Sequence, residues 1–196
     1  MTLNTIFAFT ATAISILSFV PYLKDLRAKK IKPHLFSWVI WSLMTLIYFF
    51  AQVSGGAGIG ALTTAITGIL TIYIAIIAFR HSDKIIKRID WISLAISLIA
   101  LISWVVTNNP VYAVILVSIS DFTGFFPTIR KSYNEPYSET LSLYLMAAIK
   151  HVLVIFSLQQ ITLTTSFYTF FLIAENFLFV LMLLYRRNKL KQSKLL

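Results

Sequence analysis

Three ionisable residues, Asp121, Lys150 and Glu175, stand deep inside apolar stretches of the chain. Each lies nine or ten residues from the basic cluster or polar turn at one end of its hydrophobic segment. At about 1.5 Å per helical residue that is roughly 14–16 Å, close to the middle of an apolar core about 30 Å thick. A charge at that depth costs about 2.5–3.5 kcal/mol on insertion scales, so all three are expected to face protein and to pair. Lys150 can satisfy one carboxylate, and the spacing leaves open which one. The other then lacks a basic partner unless His151 reaches it, and can bind a proton or a cationic solute. Asn176 adds a neutral amide beside Glu175. Asp121, Lys150, Glu175 and Asn176 are therefore the candidates for solute binding or proton coupling. The competing reading is an ion pair that merely locks helices together, a task that small or apolar residues perform as well.

The surroundings of these residues carry polar groups at helical spacing. Ser118, Asp121, Gly124, Phe125 and Thr128 share one helix face, and the equivalent face of the first segment carries Ser15, Ser18 and Tyr22. Ser15 stands 106 residues before Asp121, so the first part of the chain offers hydroxyls where the second offers charge. Trp38, Trp41, Thr45 and Tyr48 recur along one side of another segment; Trp38 is placed to anchor at the membrane interface, and Trp41 either packs or walls a cavity. Ser15, Trp41, Thr45, Ser118, Tyr144 and His151 are the expected cavity lining, although a serine in such a helix commonly bonds a backbone carbonyl instead. The chain has no cysteine, and His34, His81 and His151 lie in separate regions without metal-ligand spacing. No nucleophile–base pair is recognisable, so neither an enzyme, nor a metal, nor a cofactor is expected. The run Ser54-Gly-Gly-Ala-Gly-Ile-Gly60 follows no strand, and reads as a tight turn with small-residue packing at Gly56 and Gly60.

The elements that must hold these residues follow from composition. With 58% hydrophobic and 12% charged residues in 196, the chain has too few charges to cover a soluble domain, which needs roughly a quarter. It reads as an all-α integral membrane protein. Seven segments are long enough to span: Leu3–Leu23, Leu35–Val53, Ala57–Phe79, Trp91–Thr107, Val111–Ile129, Thr140–Leu158 and Ser166–Tyr185. The first is preceded by no basic residue and followed by no small-residue cleavage site, so it is expected to stay as a helix and not to be removed as a signal peptide.

Sixteen of the seventeen Lys and Arg residues fall in four clusters, Lys24 to Lys32, Arg80 to Arg88, Arg130–Lys131 and Arg186 to Lys194; the seventeenth is Lys150. The clusters follow the first, third, fifth and seventh segments. The turns Ser54–Gly56, Asn108–Pro110 and Gln159–Thr165 have no Lys or Arg. Basic loops stay cytoplasmic, which predicts an outside N-terminus and a cytoplasmic C-terminus. The net charge of +10 is thus an orientation signal and a contact with anionic lipid, and no nucleic-acid partner is expected.

The chain also repeats. Phe19-Val-Pro21-Tyr-Leu-Lys24 and Phe125-Phe-Pro127-Thr-Ile-Arg130 share a pattern 106 residues apart, and Phe79–Arg80 and Tyr185–Arg186 keep the same offset. A second proline follows each copy, Pro33 and Pro136. Two parallel three-helix repeats joined by a linker helix account for this: residues 1–82, linker helix 83–110, and residues 111–196 with the basic tail. Membrane proteins built this way are often transporters with a site near the midplane between the halves. Both repeats in one chain make a monomer sufficient for a central path, while a homo-oligomer stays open.

A 3+1+3 arrangement, an outside N-terminus and a proline near the cytoplasmic end of helices 1 and 5 followed by basic residues resemble the SWEET and PQ-loop transporters over nearly the whole chain. Small bacterial members are the nearest in kind, with Lys-Pro-His-Leu-Phe-Ser-Trp38-Val-Ile-Trp41 opening helix 2. The resemblance implies alternating access between the two halves in a bacterial inner membrane, with Pro21 and Pro127 as hinges. Asn176 fits the helix 7 asparagine of sugar-carrying members; the helix 3 region holds Leu70 without an asparagine, and the Pro-Gln dipeptides are replaced by Pro21-Tyr22 and Pro127-Thr128. The expected function is transport of a small polar or ionisable solute, with the proton as candidate coupling ion. A non-transporting sensor or assembly protein is the alternative.

Overall fold

The computed structural model describes residues 2–31, 33–81, 88–107 and 109–192. Lys32, Lys84, Lys87 and Lys194 of the basic clusters lie outside the described residues, as do Asn108 and the side chain of His81. Seven α-helices occupy the described residues: α1 Leu3–Arg27, α2 Leu35–Ser54, α3 Ala61–His81, α4 Arg88–Thr107, α5 Pro110–Asn134, α6 Leu141–Ser157 and α7 Leu163–Gln192. Five of them, α1, α2, α3, α5 and α7, are long and apolar enough to cross a membrane, which marks a membrane-embedded protein. The 17 residues of α6 span only about 26 Å.

Helices α1, α5 and α7 run further than the apolar segments suggest, because their last turns carry basic side chains that suit the negative end of the helix dipole. In α7 the extension is also tied down. Arg186 Nε donates to Tyr133 O at 2.7 Å, and Arg187 donates to Pro136 O at 2.9 Å and Glu139 O at 2.8 Å. The end of α1 closes with two backbone bonds, Lys30 N to Asp25 O and Lys29 N to Leu26 O, with Lys29 in the left-handed region at φ 55°. At the start of α5, Asn109 Oδ1 accepts from Val111 N with Pro110 as the first helical residue.

Six helices form a closed ring in the order α1, α3, α2, α5, α7, α6, and α4 packs outside it against α5. Small and hydroxylated residues turn inward: Ala8, Ala11, Ser15, Ser18 and Tyr22 make one fully buried stripe on α1, while Ile6, Phe9, Ile16, Leu17 and Val20 point out. Lipid is as apolar as leucine, so no hydrophobic drive sorts large side chains inward, and close backbone approach decides the packing.

Helices α2 and α5 approach closely. A Cβ added to Gly124 would lie 2.5 Å from Ile40 Cγ2, and Ser37 Oγ donates to Gly124 O at 2.7 Å while accepting from Thr128 Oγ1 at 2.9 Å. Gly124→Ala is expected to lower stability by about 1–3 kcal/mol through overpacking. Ile40→Ala in the same chain recovers part of that loss, because it removes the clashing methyl. Thermal unfolding of the two single variants and the double variant in detergent measures the coupling, and strictly additive losses would refute the close contact.

At the opposite end of the ring from the α1 C-terminus, Asn4 Nδ2 donates to Phe156 O at 3.2 Å and Leu158 O at 2.9 Å. The Ser54–Gly60 run is a turn with Gly56 at φ 79°. Its Gly60 abuts Leu158 so closely that an added Cβ would sit 3.1 Å from the Leu158 Cα.

Candidate functional site

The ring encloses a cavity of about 100 Å³. Asp121, Lys150, Glu175 and Asn176 all line it, and so do Trp41, Thr45, Tyr144 and His151. The charged residues, scattered over three helices in the sequence, therefore share one space. Asp121 and Lys150 are almost fully buried, at 1% and 2% exposure, and Glu175 is buried at 9%.

The expectation that Lys150 pairs with a carboxylate does not hold. Its Nζ donates to Thr67 Oγ1 at 2.9 Å and to Ser15 Oγ at 3.2 Å, and no carboxylate stands within ion-pairing distance of it among the described residues. The reason is the packing order. Helix α6 lies between α1 and α7, and Lys150 leaves it on the α1 flank, where α3 also comes close. Ser15 and Thr67 bond each other at 2.9 Å, and Thr67 Oγ1 also donates to Thr63 O at 2.7 Å. The ammonium is thus held by hydroxyls alone.

The two acids meet on the other wall, where α5 packs against α7. Asp121 lies beside both Glu175 and Tyr168. Asp121 Oδ2 and Glu175 Oε1 are buried and have no hydrogen-bond partner among the described residues. Two neighbouring buried carboxyls repel each other when both are ionised, which favours one proton on the pair. Asn176 is anchored on its own helix, with Nδ2 donating to Leu172 O at 2.8 Å.

Two expected lining residues are not in the lining. Ser15 sits behind the wall as a partner of Lys150 and Thr67. Ser118 is buried, with Oγ donating to Val114 O at 2.9 Å, the usual way a helix absorbs a hydroxyl when no neighbour competes for it. Trp38 is no interfacial anchor either. It is 2% exposed and lines the cavity; its Nε1 donates to Tyr22 Oη at 3.1 Å, and its ring stands edge-on to Trp41 at 5.0 Å. Pro21 and Pro127 lie inside α1 and α5, which continue as helix through them.

Several groups escape the sequence reading. Thr64, Thr67 and Thr71 line the cavity from α3, and their i, i+3, i+7 spacing in an apolar helix was the available signal. Tyr168 precedes Glu175 by seven residues and so shares its face of α7. At the end of the ring that holds the α1 C-terminus, Glu139 is 1% exposed. It accepts from Lys131 Nζ at 2.6 Å and from Tyr144 Oη at 3.0 Å, just below an aromatic floor of Phe125, Tyr144 and Phe179. Nothing local distinguishes Glu139 from an ordinary loop acid; only the fold brings it under Tyr144.

No family model, curated protein or solved structure matches this chain.

Proposed function

We propose that the protein carries a small polar or ionisable solute across a membrane by alternating access, with the Asp121–Glu175 pair as the proton-coupling element. One observation carries the reading: a lysine and two carboxyls line a single cavity inside a ring of membrane-type helices without neutralising one another. Burying three ionisable groups is unfavourable, and a purely structural role would favour a direct ion pair.

The packing supports a two-fold design. Exchanging α1 with α5, α2 with α6 and α3 with α7 turns the α1–α3 and α2–α3 contacts into α5–α7 and α6–α7, and the α1–α6 contact into α2–α5. Burial supports it as well, since Thr71, Ile74 and Ala78 on α3 and Asn176, Phe179 and Leu183 on α7 are buried in the same order, 105 residues apart. That register sets Asn176 opposite Thr71, a polar lining residue, and not Leu70. Two parallel repeats joined by α4, seven crossings, an outside N-terminus and a location in a bacterial inner membrane complete the proposal, in keeping with the SWEET and PQ-loop resemblance. Pro21 and Pro127, each lacking a backbone donor, are the proposed hinges for opening the end below the aromatic floor.

The test is flux. Purified protein in proteoliposomes is offered a labelled hexose, amino acid, monocarboxylate and amine, with and without an inward pH gradient. The reading expects saturable uptake of at least one of them, driven uphill by the gradient. Absence of flux for every solute, in vesicles where the protein remains folded, overturns it; gradient-independent flux overturns the coupling alone.

A further inference from the structure

We infer that the solute is a small zwitterion, held with its anionic group against Lys150 and its ammonium group against Asp121 and Glu175. The inference rests on the transport reading of this cavity and deepens it.

Three features of the cavity lead there. The first is the separation of unlike charges on its two walls. Lys150 is held toward α1 and α3 by Ser15 and Thr67, whereas the acids face one another at α5 and α7. An ammonium has three donors, and the two hydroxyls take two, so one remains for a ligand.

The second feature is the charge balance. A protonated Lys150 and a carboxyl pair sharing one proton sum to zero, with the two charges apart. A zwitterion meets both charges and keeps the total at zero. A monocarboxylate leaves the acid pair unmatched and adds a net negative charge to a water-poor space; a monoamine leaves the lysine unmatched and adds a positive one. A neutral sugar answers neither.

The third feature is size. A water needs about 10–15 Å³ of such volume, so 100 Å³ holds roughly seven to ten water-sized groups. Glycine or alanine, with about five or six heavy atoms, fits, and a hexose with about a dozen overfills it. The remaining wall suits a short side chain, since Trp41 and Phe125 lie edge-to-face at 5.2 Å beside the charged groups.

The experiment measures binding by calorimetry on the full chain in detergent and uptake in proteoliposomes. The probes are L-alanine, propionate, ethylamine and glucose; propionate and ethylamine are alanine stripped of one charged group. Alanine is expected to bind at least about 10-fold more tightly than either, the loss of one charged contact being worth a factor of that order. Lys150→Met should weaken alanine by a similar factor and leave ethylamine unchanged. Glu175→Gln should weaken alanine and leave propionate unchanged, and it carries the test if the lysine variant does not fold. Equal or tighter binding of propionate, ethylamine or glucose overturns the inference, and so does absence of alanine binding. If another solute is carried while alanine neither binds nor moves, the zwitterion fails and transport stands. Alanine that binds with this pattern but never crosses leaves the site and removes the transport reading.

Discussion

Asp121→Asn is expected to reduce uptake driven by an inward pH gradient at least about 10-fold more than it reduces exchange of the same solute without a gradient, because a coupling free energy of about 1–3 kcal/mol corresponds to a factor of 5–150. Asp121 is buried beside Glu175, and two neighbouring buried carboxyls favour holding one proton over ionising together. Asparagine keeps the size and a hydrogen-bond donor toward Glu175, so the helices stay packed. What it removes is the partner from which the shared proton leaves. Glu175→Gln should behave alike, and the double variant should be no worse than either single one, since the pair acts as a unit. Paired uptake curves at matched protein density read the effect. Gradient-driven uptake that survives Asp121→Asn would show that the proton travels by another route.

Lys150→Met is expected to raise stability by about 1–2 kcal/mol, or roughly 2–8 °C in the unfolding midpoint, while weakening binding of the solute about 10-fold. The ammonium is 2% exposed and has no carboxylate partner among the described residues. In detergent the unfolded chain hydrates it, so folding carries a dehydration penalty of about 2.5–3.5 kcal/mol on membrane scales. Against this stand two hydrogen bonds to neutral hydroxyls, and interhelical bonds of that kind average about 0.6 kcal/mol each. The penalty wins. Methionine fills the same space, and Ser15 and Thr67 keep their mutual bond and the Thr63 carbonyl. The helix-lock alternative predicts the opposite sign, a loss of about 3–5 kcal/mol from stripping a buried acid of its partner. Thermal unfolding of wild type and variant in one detergent decides between them.

Much of this architecture is readable from local sequence. Each of the seven apolar segments is a helix, because a predominantly apolar stretch bounded by basic clusters or Gly, Pro and Asn turns bonds its backbone within itself. The depth of Asp121, Lys150 and Glu175 follows from counting residues along those helices, and depth alone predicts a shared level.

Direction around each helix does not follow from counting. Whether Lys150 turns to α1 or to α5 depends on which neighbour α6 packs against, and that is set by pairs such as Asn4 with Leu158 and Gly60 with Leu158, distant in sequence. The same ignorance put Ser15 and Ser118 in the lining and Trp38 at the interface. In a soluble domain hydrophobic periodicity would have marked the inward face; here both faces are apolar, and lipid removes the contrast.

The sequence by itself determined the helices, the level of their charges and the surplus of acid over base at that level. Only the tertiary structure decided that the lysine rests on hydroxyls of α1 and α3 while the acids lie side by side where α5 packs on α7. The partner of a buried charge is chosen by the closing of the ring, and ring closure is a matter of which helix surfaces fit.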